Sequence, residues 1–422
     1  MTETSVGLSD LFVYVPSPRI SLEALVDYRV KSAPSLERRL RRALETTGQR
    51  AVRYPRLYED NVTLSSEAAA GLLRARGSGE GLRYLAVGTE TPVDHSKPVA
   101  AYVEGVLQNA GMEIPETIST FQVQHACAGG TISMLSVGAL LAVGGRSNES
   151  GIVISSDIAR YDAPSTAEIT QGAGAVAMLV ETSPRLLSLD LQTIGYSSRD
   201  VDDFFRPLGS VTAKVKGGYS VQCYNDAFEV ALSDHASRSG MQPGDVLRHA
   251  DYIALHVPFY KMPITALRRS LLHHNGLPEA EADAFLQERG VFDALEPTRE
   301  VGNIYSGSAY LSLAFMLKQQ HEKLGDGIVG KRVLIGSYGS GNTMSVFSGT
   351  IADGAPEVIA RWNLDEVLSG GVDESLEHYE RWLRVPMSSE EYHREMASEQ
   401  VPEGRFYLEN VRDDGYREYT RA

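Results

Sequence analysis

Cysteine is nearly absent: only Cys127 and Cys223 occur in 422 residues. Two cysteines make no disulfide framework, and no cysteine–histidine cluster supports a metal site, so a reducing cytoplasm is the expected setting. Long basic blocks are also missing. With 55 acidic against 40 basic residues and a net charge of -15, nucleic acid is not an expected partner. The opening Met1-Thr-Glu-Thr-Ser has neither the basic nor the apolar part of a secretory signal. Apolar runs such as residues 134–143 are short for a membrane span, and that one is interrupted by Ser136 and Gly138, so no membrane association is expected. Phosphate-binding loops are wanting too. The run Gly336-Ser-Tyr-Gly-Ser-Gly341 lacks the Gly-Lys-Ser/Thr ending, and Gly172-Ala-Gly-Ala175 lacks the full nucleotide pattern.

What remains is an apolar, glycine-rich chain, 42% hydrophobic and long enough for one two-lobed body or two to three domains. Residues 11–15 are expected to form a first strand. Residues 21–47 are mostly helical, broken at Ala33-Pro34-Ser35 and stopped by Gly48. Helical spacing recurs over 65–75 and 99–109, and strands are expected at 84–89 and up to about Gln124. A long buried helix follows over 129–143, then neighbouring strands at 151–156 and 174–179, joined by a loop holding Asp157 and Tyr161. The second half has the same coarse order: a strand at 252–256, a small-residue turn at 302–308, an apolar helix over 309–318, a strand at 332–335, the 336–341 loop and a strand at 344–348. This weak internal repeat predicts two similar α/β lobes whose loops meet at their interface, dividing near 185–215. The charged, aromatic tail from Glu366 has one segment, 405–411, suited to an edge strand.

Cys127 lies in Phe121-Gln-Val-Gln-His-Ala-Cys-Ala-Gly-Gly130, between an apolar strand and the long helix. A sulfur at a helix N-terminus sits at the positive end of the helix dipole, which favours a thiolate. The small residues after it allow close approach of an acyl group, and nearby amides are candidates for binding an oxyanion. Glu90 ends an apolar strand and His256 ends another, so the chain offers a nucleophile, a proton acceptor and an acyl-transfer base. Cys223 is expected to be structural. His125 is open to two readings, tuning Cys127 or packing locally. The basic segment 36–42 is either a solvated helix face or a place for an anionic ligand.

Taken together, Val87-Gly-Thr-Glu-Thr91 with Asp94-His-Ser-Lys97, His125-Ala-Cys-Ala-Gly-Gly130, Leu255-His-Val-Pro-Phe-Tyr-Lys261, Gly302-Asn-Ile-Tyr-Ser306, Ser337-Tyr-Gly-Ser-Gly341, Tyr219-Ser-Val-Gln-Cys-Tyr224 and Phe406-Tyr-Leu-Glu-Asn-Val411 resemble the 3-hydroxy-3-methylglutaryl-CoA synthase family of thiolase-like condensing enzymes. The resemblance spans most of the chain in family order. It departs at the nucleophile, where His125 and Ala128 stand in place of the family's asparagine and tyrosine; Ala128 removes a bulky wall beside the sulfur.

The resemblance implies a thiolase-like fold with two pseudo-symmetric lobes and an α-β-α-β-α core, divided as residues 1–190 with the cysteine and 191–422 with the histidine and a family-specific tail. It implies an acyltransferase that condenses acetyl-CoA with acetoacetyl-CoA through an acetyl-Cys127 enzyme, Glu90 moving the proton and His256 assisting acyl transfer and holding the acceptor. Asn303, Tyr338, Ser340 and Lys261 are the implied substrate-binding residues, Lys261 toward the phosphate or pantetheine part of CoA. The CoA thioesters are substrates and no cofactor is implied. A homodimer is expected. The alternatives are the same chemistry on an acyl carrier protein, as in polyketide β-branching, a decarboxylating β-ketoacyl synthase, and a non-catalytic scaffold.

Overall fold

Alternating burial along the strands sets the layers. The computed structural model describes residues 5–384 and 388–422. In the strand Ser150–Ala159, Val153 faces one apolar cluster while Ile152 and Ile154 face another. In Arg332–Gly339, Val333 and Ile335 point one way and Leu334 the other. Side chains alternate across a strand, so each sheet must be covered on both faces. The inner faces share a central cluster with the helices Gly129–Gly144 and Gly307–Leu324, through Met134, Val137, Leu141, Tyr310 and Leu311. The outer faces are covered by Asn61–Arg76 and Val99–Asn109 on one side and by Gly217–Arg238 and Lys261–Asn275 on the other. The result is the five-layered α-β-α-β-α arrangement.

Topology repeats between the halves. The first half contributes Val6–Tyr14, Leu82–Gly88, Ser119–Val123, Ser150–Ala159 and Gly172–Thr182, lying side by side in the order third, second, fourth, fifth, first. From the second strand onward the pairings are parallel, antiparallel, antiparallel. Tyr252–Leu255, Arg332–Gly339, Thr343–Ile351 and Leu187–Leu189 show the same succession. Leu187–Leu189 also pairs with Val6–Tyr14 and so joins the two halves in one mixed sheet.

Local signals explain the element ends. Asp60 caps Asn61–Arg76 by accepting from the Val62 and Thr63 amides, and Gly77 ends it at a φ of 85°. The helix Leu22–Ser32 stops before Pro34, and Glu37–Thr47 ends at Gly48 with a φ of 74°. Three expectations change. Gly336 to Gly339 belong to a strand, because they pair with Thr343–Ile351. Asp157 also lies within a strand, paired with Gly174. The strand expected over 405–411 forms as Phe406–Val411 but, among the described residues, pairs with Arg417–Arg421 in a separate hairpin and not at an edge of the large sheet. In addition, Ala126–Gly144 is by length and composition long and apolar enough to cross a membrane, because the helix extends beyond the 134–143 run; 56% of its most apolar window is buried here.

Candidate active site

Register gathers the chemistry. Gly88 lies opposite Val123 and Ser155, so Glu90, Cys127 and Asp157 leave the same end of the first half's parallel strands. Leu255 lies opposite Gly336, which brings His256 and the chain from Tyr338 to Ser340 to the matching end of the second. Sites in open α/β sheets form at such strand ends.

Cys127 follows Ala126, whose φ of 42° turns the chain sharply before the helix Gly129–Gly144. The glycine pair serves packing here. A Cβ on Gly130 would lie 1.9 Å from Ser155 Oγ, and one on Gly88 would lie 2.0 Å from the Gly130 nitrogen. Helix and sheet touch backbone to backbone because neither carries a side chain there. The Ala128 and Gly129 amides donate to the His125 and Ala126 carbonyls, so they are engaged within the turn and not free for an oxyanion. Ala128 is buried against Gly339, where an added Cβ would lie 2.8 Å from the Ala128 methyl.

The helix N-terminus does not make Cys127 a resting thiolate. Burial pushes its thiol pKa well up, and the charge of Glu90 followed by that of Asp203 pushes the same way, with Arg206 opposing. Loss of hydration on burial is the main cause, so the resting sulfur carries its proton.

Glu90 is buried, and its side chain is only 6% exposed. Arg206 Nη2 lies 2.8 Å from its Oε1. Burial raises the Glu90 pKa, while Arg206 and a hydrogen bond from Tyr305 draw it down. Beneath it, Asp157 Oδ1 accepts from Thr89 Oγ1, the Glu90 amide, Thr91 Oγ1 and the Thr91 amide, at 2.7–3.2 Å. Its other oxygen is buried without a partner. Burial and the neighbouring Glu90 push Asp157 up to about 8. A neutral Asp157 thus clamps the turn that presents Glu90 without adding a second full charge.

His256 is 1% exposed, and neither ring nitrogen has a hydrogen-bond partner. Its carbonyl accepts from the Tyr224 hydroxyl at 2.9 Å, which fixes the backbone but leaves the imidazole unengaged. Burial lowers its pKa to about 3. The imidazole is therefore neutral and offers one donor and one acceptor at physiological pH. A histidine whose folded pKa lies below its unfolded value near 6.5 contributes stability above that value and loses it as pH falls toward 3. The stability of the protein relative to His256→Asn, measured by denaturant titration, is expected to fall by on the order of 2 kcal/mol between pH 6.5 and 4.5.

Asn303 Oδ1 accepts from the Tyr305 amide and from Ser308 Oγ, which leaves its Nδ2 available as a donor. Tyr338 donates to Asp203 Oδ2 at 2.7 Å. Lys261 Nζ donates to the Glu45 carbonyl. The His125 carbonyl holds the nucleophile turn; its imidazole makes no hydrogen bond among the described residues, and burial lowers its pKa. Cys223 is buried and free.

Cys127, His256, Asn303, Tyr338, Ser340 and Lys261 line one cavity of about 910 Å³. Glu90 and Arg206 line an adjoining cavity of about 1130 Å³. Phe204 and Ser340 belong to both walls. Glu90 therefore meets the Cys127 chamber at a partition centred on Phe204, with Arg206 on the Glu90 side and Tyr305, from the turn before Gly307–Leu324, on the Cys127 side. Sequence reading missed this partition and treated 185–215 as a divider. A hairpin, Phe204–Phe205 with Lys214–Val215, supplies it. The available signal was two aromatic residues followed by arginine, apolar rings beside a cation in a polar stretch. Among the described residues no group of histidine, cysteine and acidic side chains is arranged to hold a metal.

Residues 3–184 match the family profile described as hydroxymethylglutaryl-coenzyme A synthase N terminal, and 279–422 match its C-terminal counterpart. The hydroxymethylglutaryl-CoA synthase of Enterococcus faecalis is 28% identical over 376 residues, covering 89% of this chain and 91% of that protein. That of Haloferax volcanii is also 28% identical, covering 78% and 81%. A solved structure of MvaS in complex with 3-hydroxy-3-methylglutaryl coenzyme A superposes with a TM-score of 0.87 at 33% identity over 100% of both chains. The Curacin biosynthetic pathway HMG synthase shares the fold, with a TM-score of 0.83 at 23% identity over 99% of this chain and 100% of that one. A cysteine at the start of a buried helix, an unengaged imidazole across the same chamber and a carboxylate behind it thus stand on a thiolase-like scaffold matched end to end, and the chain belongs to the hydroxymethylglutaryl-CoA synthase family.

Proposed function

We propose that the protein condenses acetyl-CoA with acetoacetyl-CoA through an acetyl-Cys127 intermediate and hydrolyses the enzyme thioester to release 3-hydroxy-3-methylglutaryl-CoA. The observation that carries this reading is the shared chamber of Cys127 and a neutral His256 with both nitrogens unengaged. A buried imidazole with no protein partner is suited to receive a ligand's polar atoms. In the first step the Cys127 sulfur attacks the acetyl carbonyl and CoA leaves, with His256 taking and returning the thiol proton. Glu90 then removes a methyl proton, and the C–H electron pair becomes the enolate. The enolate carbon attacks the ketone of the acceptor, whose thioester carbonyl accepts from Asn303 Nδ2 and His256. Glu90 returns its proton to the new alkoxide. Water finally cleaves the bond between the acyl group and sulfur. Tyr338 and Ser340 form the chamber wall, and Lys261 with Arg39 and Arg42 stands where an anionic carrier enters.

The matching strand pairings support two halves, and because Leu187–Leu189 already pairs as a strand of the second, they favour a division a few residues before the expected 1–190 and 191–422 boundary. A homodimer, in a reducing cytoplasm that leaves both thiols free, completes the reading. A second reading, an acceptor held on an acyl carrier protein, is favoured by the same rim. Arg39 and Arg42 are exposed and make no ion pair among the described residues, so they suit an acidic surface as well as a CoA phosphate. Acetyl-CoA is offered with acetoacetyl-CoA or with acetoacetyl-carrier protein, and product mass is read. Efficient formation of 3-hydroxy-3-methylglutaryl-CoA is expected. Product on the carrier alone would reject the CoA acceptor, and product on neither would reject the condensation.

A further inference from the structure

The guanidinium of Arg206 is the one cation paired with Glu90 among the described residues, at 2.8 Å, and its own side chain is only 17% exposed. Its contact is single-pronged. Nη2 reaches Glu90 Oε1 and lies 3.4 Å from the Tyr305 hydroxyl, while Nη1 donates to the Val211 carbonyl. The Nε group is buried without a partner. A bidentate fork would occupy both carboxylate oxygens; this arrangement leaves the second one unoccupied by Arg206. The arginine is held by its hairpin, since Phe204 packs edge-on against Tyr161 and Tyr305 at 6.3 and 5.9 Å. Backbone contact between Ala213 and Arg160 closes the other strand onto the site.

We propose that Arg206 is a positioning residue for the condensation: through its contact with Oε1 it keeps Glu90 ionised inside the partition and holds the carboxylate in the orientation from which it serves the acyl-enzyme as the base. This rests on the proton-transfer reading of Glu90. A carboxyl group this deeply buried without a cation would be neutral and could not accept a proton. Burial does raise the Glu90 pKa, and Arg206 is the largest opposing influence. When Glu90 takes the methyl proton, Arg206 keeps its charge beside a neutral acid. When the acid gives the proton to the alkoxide, the ion pair is restored. The arginine changes neither its covalent structure nor its own protonation.

Arg206→Gln and Arg206→Lys test this with deuterated acetyl-CoA. Acetylation of Cys127, read by intact mass, is expected to change far less than the later steps. Loss of methyl deuterium from the acetyl-enzyme to water, and condensation with acetoacetyl-CoA, should fall about 10²-fold in Arg206→Gln. The acid limb of its pH–rate profile should move upward by about one to two units, because removing the cation raises the Glu90 pKa. Arg206→Lys should recover much of the rate and keep the limb near its original position. In a Glu90→Gln background, adding Arg206→Gln should cost nothing further, since an arginine acting through Glu90 has nothing left to act on. An unmoved limb in a folded Arg206→Gln, or a further loss in the Glu90→Gln background, overturns the proposal. If Arg206→Gln does not fold, a limb in Arg206→Lys displaced by more than one unit overturns it. Unchanged condensation in Glu90→Ala instead removes the proton-transfer reading itself, whatever Arg206 does.

Discussion

Cys127→Ala is expected to abolish the acetyl-enzyme and to lower condensation by about 10⁴-fold or more, because no second thiol lines the chamber and the covalent route has no replacement. Mass analysis after mixing with acetyl-CoA checks the first part, and product formation checks the second. The fold should survive, since the substitution trims a single atom from a buried turn whose glycine contacts stay in place. The resting thiol carries a related expectation. Burial, and after it the Glu90 carboxylate, hold it protonated, so alkylation by iodoacetamide at pH 7 should be slow and should quicken with pH beyond the ordinary thiol range. Fast alkylation of Cys127 at neutral pH would overturn the protonated resting thiol, and an acyl adduct that persists in Cys127→Ala would place the nucleophile elsewhere.

Glu90→Ala separates the two chemical stages. Acetylation of Cys127 uses the sulfur and His256, so it should continue and the acetyl-enzyme should accumulate. Condensation should fall about 10³-fold, the scale of a positioned general base. Removing the carboxylate also leaves Arg206 buried without its partner, so some loss of stability is expected and thermal unfolding must be recorded beside the kinetics. Relief of the Glu90 charge should lower the pKa of Asp157, whose upward shift comes from burial first and Glu90 second. It should also ease deprotonation of Cys127, because Glu90 is the largest charged influence on that thiol. Glu90→Ala is thus expected to alkylate faster at Cys127 while condensing more slowly. Acetylation and condensation lost in equal measure would argue for a structural role alone.

Much of the site was legible because its residues sit at ends of strongly patterned elements. Cys127, Glu90 and His256 each close an apolar strand or open an apolar helix, and the break at Pro34 and stop at Gly48 are local events that the chain dictates by itself. Their electrostatic states were not legible. A helix N-terminus beside a thiol predicts a thiolate, but burial of the sulfur, and after it the carboxylate of Glu90 from a distant stretch of chain, push the thiol the other way. The glycine pair after Cys127 invites an acyl group in one dimension, whereas in three it meets Gly88, Ser155 and Ser306. Arg206 escaped notice because its two-residue strands have no period to detect, and its partner Glu90 lies far away in sequence.

Local pattern alone therefore indicated the long helices, most of the longer strands, the coarse repeat and Cys127, Glu90 and His256 as candidates, because these follow from periodicity, capping and composition within a few neighbours. Tertiary structure decided which chamber each side chain faces, which protons they hold at rest and that Phe204 of a short hairpin lines both the Glu90 and the Cys127 cavities. Those properties depend on desolvation and on charges brought together from remote parts of the chain, which only packing can supply.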